Sequence, residues 1–225
     1  MNGPLVLAIE SATSCVGCAL GTPAGVLAST HSTRGRHHAE SLAPQIQQVV
    51  AEAGAVIADI EMIAVDVGPG LYTGLRVGIT TARAMAHTLS VPMLAVTSVE
   101  AIAHANRNSG ALTVAIDARR GEVFHSTFVF DSTGAMTGSE PGVATADQVD
   151  TRESTIVVGD GALVYAESFA RLGLTVDVDA VHLPMPEAVL ELAVSRLDKA
   201  VDPTAIEPLY LRRPDAVAKW EGAAR

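Results

Sequence analysis

Three short apolar runs open the chain at residues 5–9, 15–20 and 26–33, the last two separated by Thr22, Pro23, Ala24 and Gly25. Such brief runs bounded by Gly and Pro read as strands, so the pattern predicts a three-stranded meander. The period then changes. Leu42, Ile46, Val49 and Val50 recur at helical spacing and predict a helix over 39–53, followed by a strand over 62–67 that Gly68, Pro69 and Gly70 terminate. A second helix over 73–89, a strand over 93–96 and a third helix capped by Ser98 complete the unit.

After the polar linker Asn106, Arg107, Asn108, Ser109, Gly110 the opening returns. Leu112-Thr113-Val114-Ala115-Ile116-Asp117 resembles Leu5-Val6-Leu7-Ala8-Ile9-Glu10, residues 123–130 match the second strand, and Ser132-Thr133-Gly134-Ala135 match its turn. A helix candidate at 146–149, a strand at 156–159 and a helix at 163–172 follow in the same order. Two copies of a βββαβα unit are therefore predicted, with chance similarity of two β-rich stretches as the alternative. The copies divide the chain into lobes at 1–108 and 109–200, the second ending in a helix over 187–199. A tail over 201–225 is expected to pack back on the first lobe.

Composition narrows the chemistry. With 225 residues, 48% hydrophobic and 18% charged, the chain has the material for a sizeable core. A formal charge of −10 disfavours nucleic acid as a direct primary partner. Cys15 and Cys18 stand three apart in a predicted strand, where they point to opposite faces, and no second pair completes a zinc site; buried thiols in a reducing compartment are expected. The first apolar run lacks a basic flank, and no window approaches the roughly 18 apolar residues of a membrane span. A soluble, cytoplasmic protein without a membrane partner follows as the expectation.

A duplicated βββαβα unit with an acidic residue ending the first strand of each half, here Glu10 and Asp117, resembles the actin and sugar-kinase superfamily, whose two lobes clasp ATP. Four segments resemble the TsaB, or YeaZ, family more narrowly: residues 9–14 (IESATS), 68–76 (GPGLYTGLR), 115–123 (AIDARRGEV) and 207–212 (EPLYLR). They occur in the right order over nearly the whole chain. The resemblance implies a two-lobed actin-like α/β fold and a non-catalytic dimerisation subunit of the machinery that installs threonylcarbamoyl on an adenosine beside the tRNA anticodon. It implies a TsaD-like catalytic paralogue as partner, a TsaE-like ATPase in the assembly, a possible homodimer when alone and no strong direct tRNA binding.

The residue chemistry agrees with a non-catalytic part. Catalytic paralogues carry a His-x-x-x-His metal pair, which in this sequence would fall near 98–102, and neither flanking position is His. None of the seven histidines stands four residues from another, so no metal is expected; His37 and His38 read as solvated loop residues. Ser11, Ser14 and Ser41 lack a Gly-x-Ser-x-Gly context, which makes a peptidase the weakest reading. Nucleotide loops remain as candidates, with Glu10, Ser11 and Ser14 in the first, Asp117 and Arg119 in the second, and Gly159 and Gly161 facing an adenosine. The first loop lacks glycine, so a vestigial site is favoured, with no tightly bound cofactor and ATP or ADP only in the assembled complex. A metal-independent ATPase or kinase is the competing function.

The helix after Gly70 supplies the candidate interface. Gly74, Gly78, Ala82 and Ala86 fall every four residues and form a ridge of small side chains that another helix can approach closely. On the sequence alone, packing against the chain's own sheet is an equal alternative. The resemblance favours a partner-binding face of Leu71, Tyr72, Leu75, Arg76, Gly78, Ile79, Ala82, Arg83 and Ala86. Enlarging Ala82 is then expected to weaken association while leaving the monomer stable.

Overall fold

The structure, a computed structural model, describes residues 3–33, 38–107, 110–151 and 154–212. The first lobe runs β1 (Val6–Glu10), β2 (Val16–Thr22), β3 (Gly25–Ser32), α1 (His38–Glu52), β4 (Met62–Asp66), α2 (Tyr72–Leu89) and β5 (Met93–Val96). Its sheet has the order β3-β2-β1-β4-β5, antiparallel through the meander and parallel from β1 to β5. After α3 (Ser98–Ala105) the second lobe runs β6 (Leu112–Arg119), β7 (Glu122–Phe130), β8 (Met136–Gly138), β9 (Gly142–Thr145), β10 (Ile156–Val158), α4 (Asp160–Val164), α5 (Ala166–Arg171) and β11 (Thr175–Val176), and α6 (Pro186–Val194) follows. Its sheet order, β11-β10-β6-β7-β8 with β9 also on β7, is the first order repeated. The duplicated, two-lobed α/β fold is what the sequence repeat encodes.

Every residue of β1 and β4 is buried, because helices cover both faces of the sheet. Alternation along β1 sorts the contacts. Leu7 and Ile9 enter a core with Leu42, Ile46 and Val49 of α1 and Ile79, Ala82 and Ala86 of α2. Val6 and Ala8 face the other way, against Ala188, Val189, Leu192 and Ala193 of α6. In the second lobe, Leu112, Val114 and Ile116 pack on Val99, Ile102 and Ala103 of α3.

The last helix of each unit thus serves the opposite sheet. This corrects the expected lobe boundary: α6 lies within 109–200 but covers the first sheet, since its apolar face matches the even-numbered side of β1. Between the two crossed helices, Arg196 pairs with Glu100 at 2.7 Å and His104 meets Glu191 at 2.8 Å.

Other expectations are corrected locally. Residues 146–149 form a turn rather than a helix, and Ala146 and Val149 reach the core from it. The second lobe spends that length on β8 and β9, and among its described residues there is no counterpart of α1. The helix expected over 163–172 is two short helices that meet at Tyr165. Thr97, not Ser98, caps α3, in a reciprocal box with Glu100. The final helix stops at Val194 and is followed by a single 3-10 turn, Leu197–Lys199. His37 and the side chain of His38 lie outside the described residues, as does the tail beyond 212. Among the described residues no helix is long and apolar enough to cross a membrane.

The small-residue ridge of α2 faces inward, which corrects the interface expectation. Gly74, Leu75, Gly78, Ile79, Ala82 and Ala86 are all buried in the chain's own first lobe. A Cβ on Gly78 would stand 2.2 Å from Ser11 Oγ, so the helix lies directly on the loop that follows β1. The ridge shortens the distance between α2 and its own sheet, and only the other side of the helix is free for a partner. Ala82→Leu is therefore expected to overpack the core and to destabilise the protein by about 1–3 kcal/mol. Thermal melting tests this, a drop of several degrees being the expected outcome.

Candidate functional site

The carboxyl ends of β1 and β4 place two acids side by side. Glu10 and Asp66 each follow the Ile9–Val65 pair of the parallel ladder, and both are wholly buried. Asp66 Oδ1 accepts bonds from the Gly68 backbone at 2.7 Å and the Ser98 hydroxyl at 2.8 Å. Glu10 Oε1 accepts the Ala12 N–H at 2.8 Å. The remaining oxygens, Glu10 Oε2 and Asp66 Oδ2, have no hydrogen-bond partner among the described residues. Burial and the neighbouring Asp66 charge push the Glu10 carboxyl well above the usual glutamate range. Burial pushes the Asp66 carboxyl up as well.

The rest of the first loop is tied down from above. Ser11 donates its hydroxyl to the Gly74 carbonyl at 2.8 Å, and the Leu71 N–H donates to the Ala12 carbonyl at 2.6 Å. Ser11 is buried and its hydroxyl engaged, while Ser14 is half-buried in the same loop. Cys15 and Cys18 are free, buried thiols, each pushed up to about 12, chiefly by burial.

In the second lobe Asp117 is held by its own hairpin. Its Oδ1 accepts the Arg119 N–H at 2.8 Å and the Tyr165 hydroxyl at 3.1 Å, and its Oδ2 pairs with the Arg119 guanidinium at 2.8 Å. The Asp117 N–H in turn donates to Asp160 Oδ1 at 2.9 Å, and burial pushes the Asp160 carboxyl up. Arg120 and Gly121 make the two-residue turn with φ of 62° and 82°, a geometry that ordinarily calls for Asn-Gly. Gly159 has φ 108°, and a Cβ there would lie 2.2 Å from the Ala115 carbonyl; Gly161 sits almost as close to β6. Both glycines are thus used for packing within the lobe.

The hydrogen-bond partners of Glu10 belong to the first lobe and those of Asp117 to the second. What does bring the lobes together is a cleft of about 190 Å³ between Leu71 and Tyr72 of the first lobe and Arg119 and Arg120 of the second, with the tail at 209–212 along its side. Among the described residues no group of three or more His, Cys, Asp or Glu is arranged to hold a metal.

The outward side of α2 carries an aromatic and cationic cluster. Tyr72 stacks on Tyr210 of the tail with centroids 4.9 Å apart, the Arg76 guanidinium lies 4.2 Å over the Tyr72 ring, and Arg76 Nε donates to the Tyr210 hydroxyl at 3.2 Å. Leu71 is half-buried beside it, and Arg83 is turned toward the tail carbonyls of Thr204 and Ile206. Sequence reasoning missed Asp66, Tyr210 and Arg212. The signal for Asp66 was present, since it ends a strand just as Glu10 does.

The upward shift of the Glu10 carboxyl has a measurable consequence. A carboxyl whose folded pKa is raised favours folding while it is protonated, and that advantage falls away as pH rises from the ordinary glutamate value to the folded one, by up to about 1.4 kcal/mol per pH unit. Glu10→Gln keeps the bond to Ala12, offers an amide to Asp66 and removes the titration. Melting curves between pH 5 and 8 should show the variant gaining on the parent protein as pH rises; parallel curves would mean that Glu10 is ionised in the fold.

With this geometry in view, the likenesses to known proteins fall into place. Residues 26–220 match the family model described as TsaD: tRNA N6-adenosine threonylcarbamoyltransferase. An uncharacterized protein of Mycobacterium tuberculosis is 36% identical over 214 residues, 94% of this chain and 93% of that protein. The tRNA threonylcarbamoyladenosine biosynthesis protein TsaB of Escherichia coli is 30% identical over 228 residues, 96% of this chain and 98% of that protein. Of solved structures, YeaZ from Pseudomonas aeruginosa is 26% identical and superposes with a TM-score of 0.81, covering 92% of this chain and 100% of that one. Sequence and fold agree over nearly the full length: the chain belongs to the family that this model describes and, within it, to the TsaB/YeaZ group of tRNA threonylcarbamoyladenosine biosynthesis proteins.

Proposed function

We propose that the chain is a non-catalytic subunit that binds a TsaD-like catalytic paralogue and supports formation of threonylcarbamoyladenosine next to the tRNA anticodon. The observation that carries this reading is the fate of the two strand-end acids. Glu10 is wholly buried, with one oxygen on the Ala12 N–H, and Asp117, although it lines the cleft between the lobes, has both oxygens engaged by Arg119 and Tyr165. Acids held in this way support a reading in which the chemistry falls to the partner. A TsaE-like ATPase joins the assembly in this reading, and ATP or ADP belongs to the assembled complex.

The partner face is the outward side of α2. Tyr72, Thr73, Arg76, Thr80 and Ala84 are exposed along it at helical spacing, with Tyr210 of the tail beside them. Tyrosine and arginine are the residues that most often anchor protein interfaces, and their rings and guanidinium are held here in fixed orientations. A second reading, a metal-independent ATPase or kinase, draws its support from the cleft between the lobes.

The test separates the two sides of α2. Thr80→Arg and Ala84→Arg project from the exposed side, and each is expected to weaken binding to the TsaD-like protein of the same organism about tenfold or more, equivalent to about 1.4 kcal/mol. Modification of tRNA in the reconstituted mixture falls in step, with the melting temperature unchanged. Undiminished binding by both variants would remove the partner face from the exposed side of α2. Incubation of the isolated chain with ATP and Mg²⁺ should give no turnover, whereas steady hydrolysis would favour the second reading.

A further inference from the structure

We propose that the tail at 201–212 is a strap that latches the two lobes together, with Arg212 as its latch. Lobes of one chain move relative to each other unless something beyond their shared linkers holds them. Here the chain itself crosses between lobes twice, through α3 after β5 and back again before α6. Beyond these crossings and the packing of α3 on α6, the tail adds a further non-covalent tie.

Its first half belongs to the first lobe. Val201 exchanges backbone hydrogen bonds of 2.9 and 2.8 Å with Met93 on β5. Ile206 is buried in the first-lobe core, and its carbonyl accepts from Arg83 of α2. The Leu209 N–H then donates to the Val67 carbonyl at 2.7 Å, just beyond the end of β4. Its last residues belong to the second lobe. Leu211 packs against the core around Ile116 and Phe124. Arg212 donates to the Ala118 carbonyl at 2.9 Å and pairs with Glu122 at 3.1 Å, so it grips both strands of the β6–β7 hairpin.

The span between the two anchorages decides the function. Leu209 is fixed to the first lobe and Arg212 to the second, and the three intervening peptide links reach at most about 10 Å when extended. Parting of the lobes at this point therefore tightens the segment and must break one end. The Leu209 end has the whole tail behind it. The Arg212 end rests on a half-exposed ion pair, one carbonyl bond and one leucine; exposed ion pairs are individually weak, so this end releases first. The strap is thus a reversible latch rather than a permanent seam.

Distance measurement between spin labels at Ala58→Cys in the first lobe and Ser132→Cys in the second tests the latch on the full chain. Both sites are exposed, whereas Cys15 and Cys18 are buried and stay unlabelled. The full chain and a chain ending at Arg212 should give the same single narrow distribution. Arg212→Ala, and a chain ending at Glu207, should broaden it and shift it to longer distance, with unchanged far-UV circular dichroism. If the shortened chain fails to fold, Arg212→Ala and Glu122→Ala decide between them, since neither removes a buried apolar group. An unaltered distribution in the Arg212 and Glu122 variants overturns the latch, and so does broadening in the chain that ends at Arg212.

Discussion

The close seat of α2 on the first sheet governs much of what surrounds it. Gly74, Gly78, Ala82 and Ala86 bring the helix down until Gly78 nearly touches the Ser11 hydroxyl. At that distance Ser11 bonds the helix backbone and Ala12 receives the Leu71 N–H, so the loop after β1 is pinned beneath the start of α2. The loop so pinned follows the buried Glu10, whose carboxyl is pushed well above the usual glutamate range by that burial and by the neighbouring Asp66. The same seat determines which residues of α2 remain outside.

Crossing of the last helix of each unit makes the two lobes interdependent. Neither sheet is covered on both faces by helices of its own repeat: α6 completes the first core and α3 the second. The Glu100–Arg196 ion pair, just past the end of α6, and the His104–Glu191 hydrogen bond sit where the crossing brings them together. Asn106, read from sequence as part of a linker, is buried at this junction, donating to Ile102 and Val181 and accepting from the Val181 N–H. Tyr210 connects this architecture to the surface, since it lies within the strap and also stacks on the exposed Tyr72 of α2.

Both strand-end acids illustrate how a repeated framework diverges. In the first unit the acid is buried against a second acid, and in the second it is neutralised by an arginine two residues away. The turn Arg120-Gly121 keeps positive φ at a non-glycine residue, a conformation that costs about 1 kcal/mol or more for an L-residue with a long side chain. The hairpin that bears this strain is also the one that Arg212 grips.

Strand and helix positions, the repeat and the family motifs were legible because they rest on local periodicity and turn chemistry, which neighbouring residues express along the chain. Val6, Leu7, Ala8 and Ile9 read as a buried strand in any arrangement that covers both faces, and Leu42, Ile46, Val49 and Val50 read as a helix face. Glycine spacing on α2 likewise announced a close contact. It could not announce with what, because a ridge of small residues fits its own sheet and a foreign helix equally well, and only the packing of Gly78 on Ser11 decided for the sheet. The turn at 146–149, the exchange of α3 and α6, the burial of Glu10 beside Asp66, and the reach of Arg212 to Glu122 were likewise decided in three dimensions. Each depends on surfaces brought together by residues tens of positions apart, whose mutual distance is set by the packed fold and by no pattern within either segment.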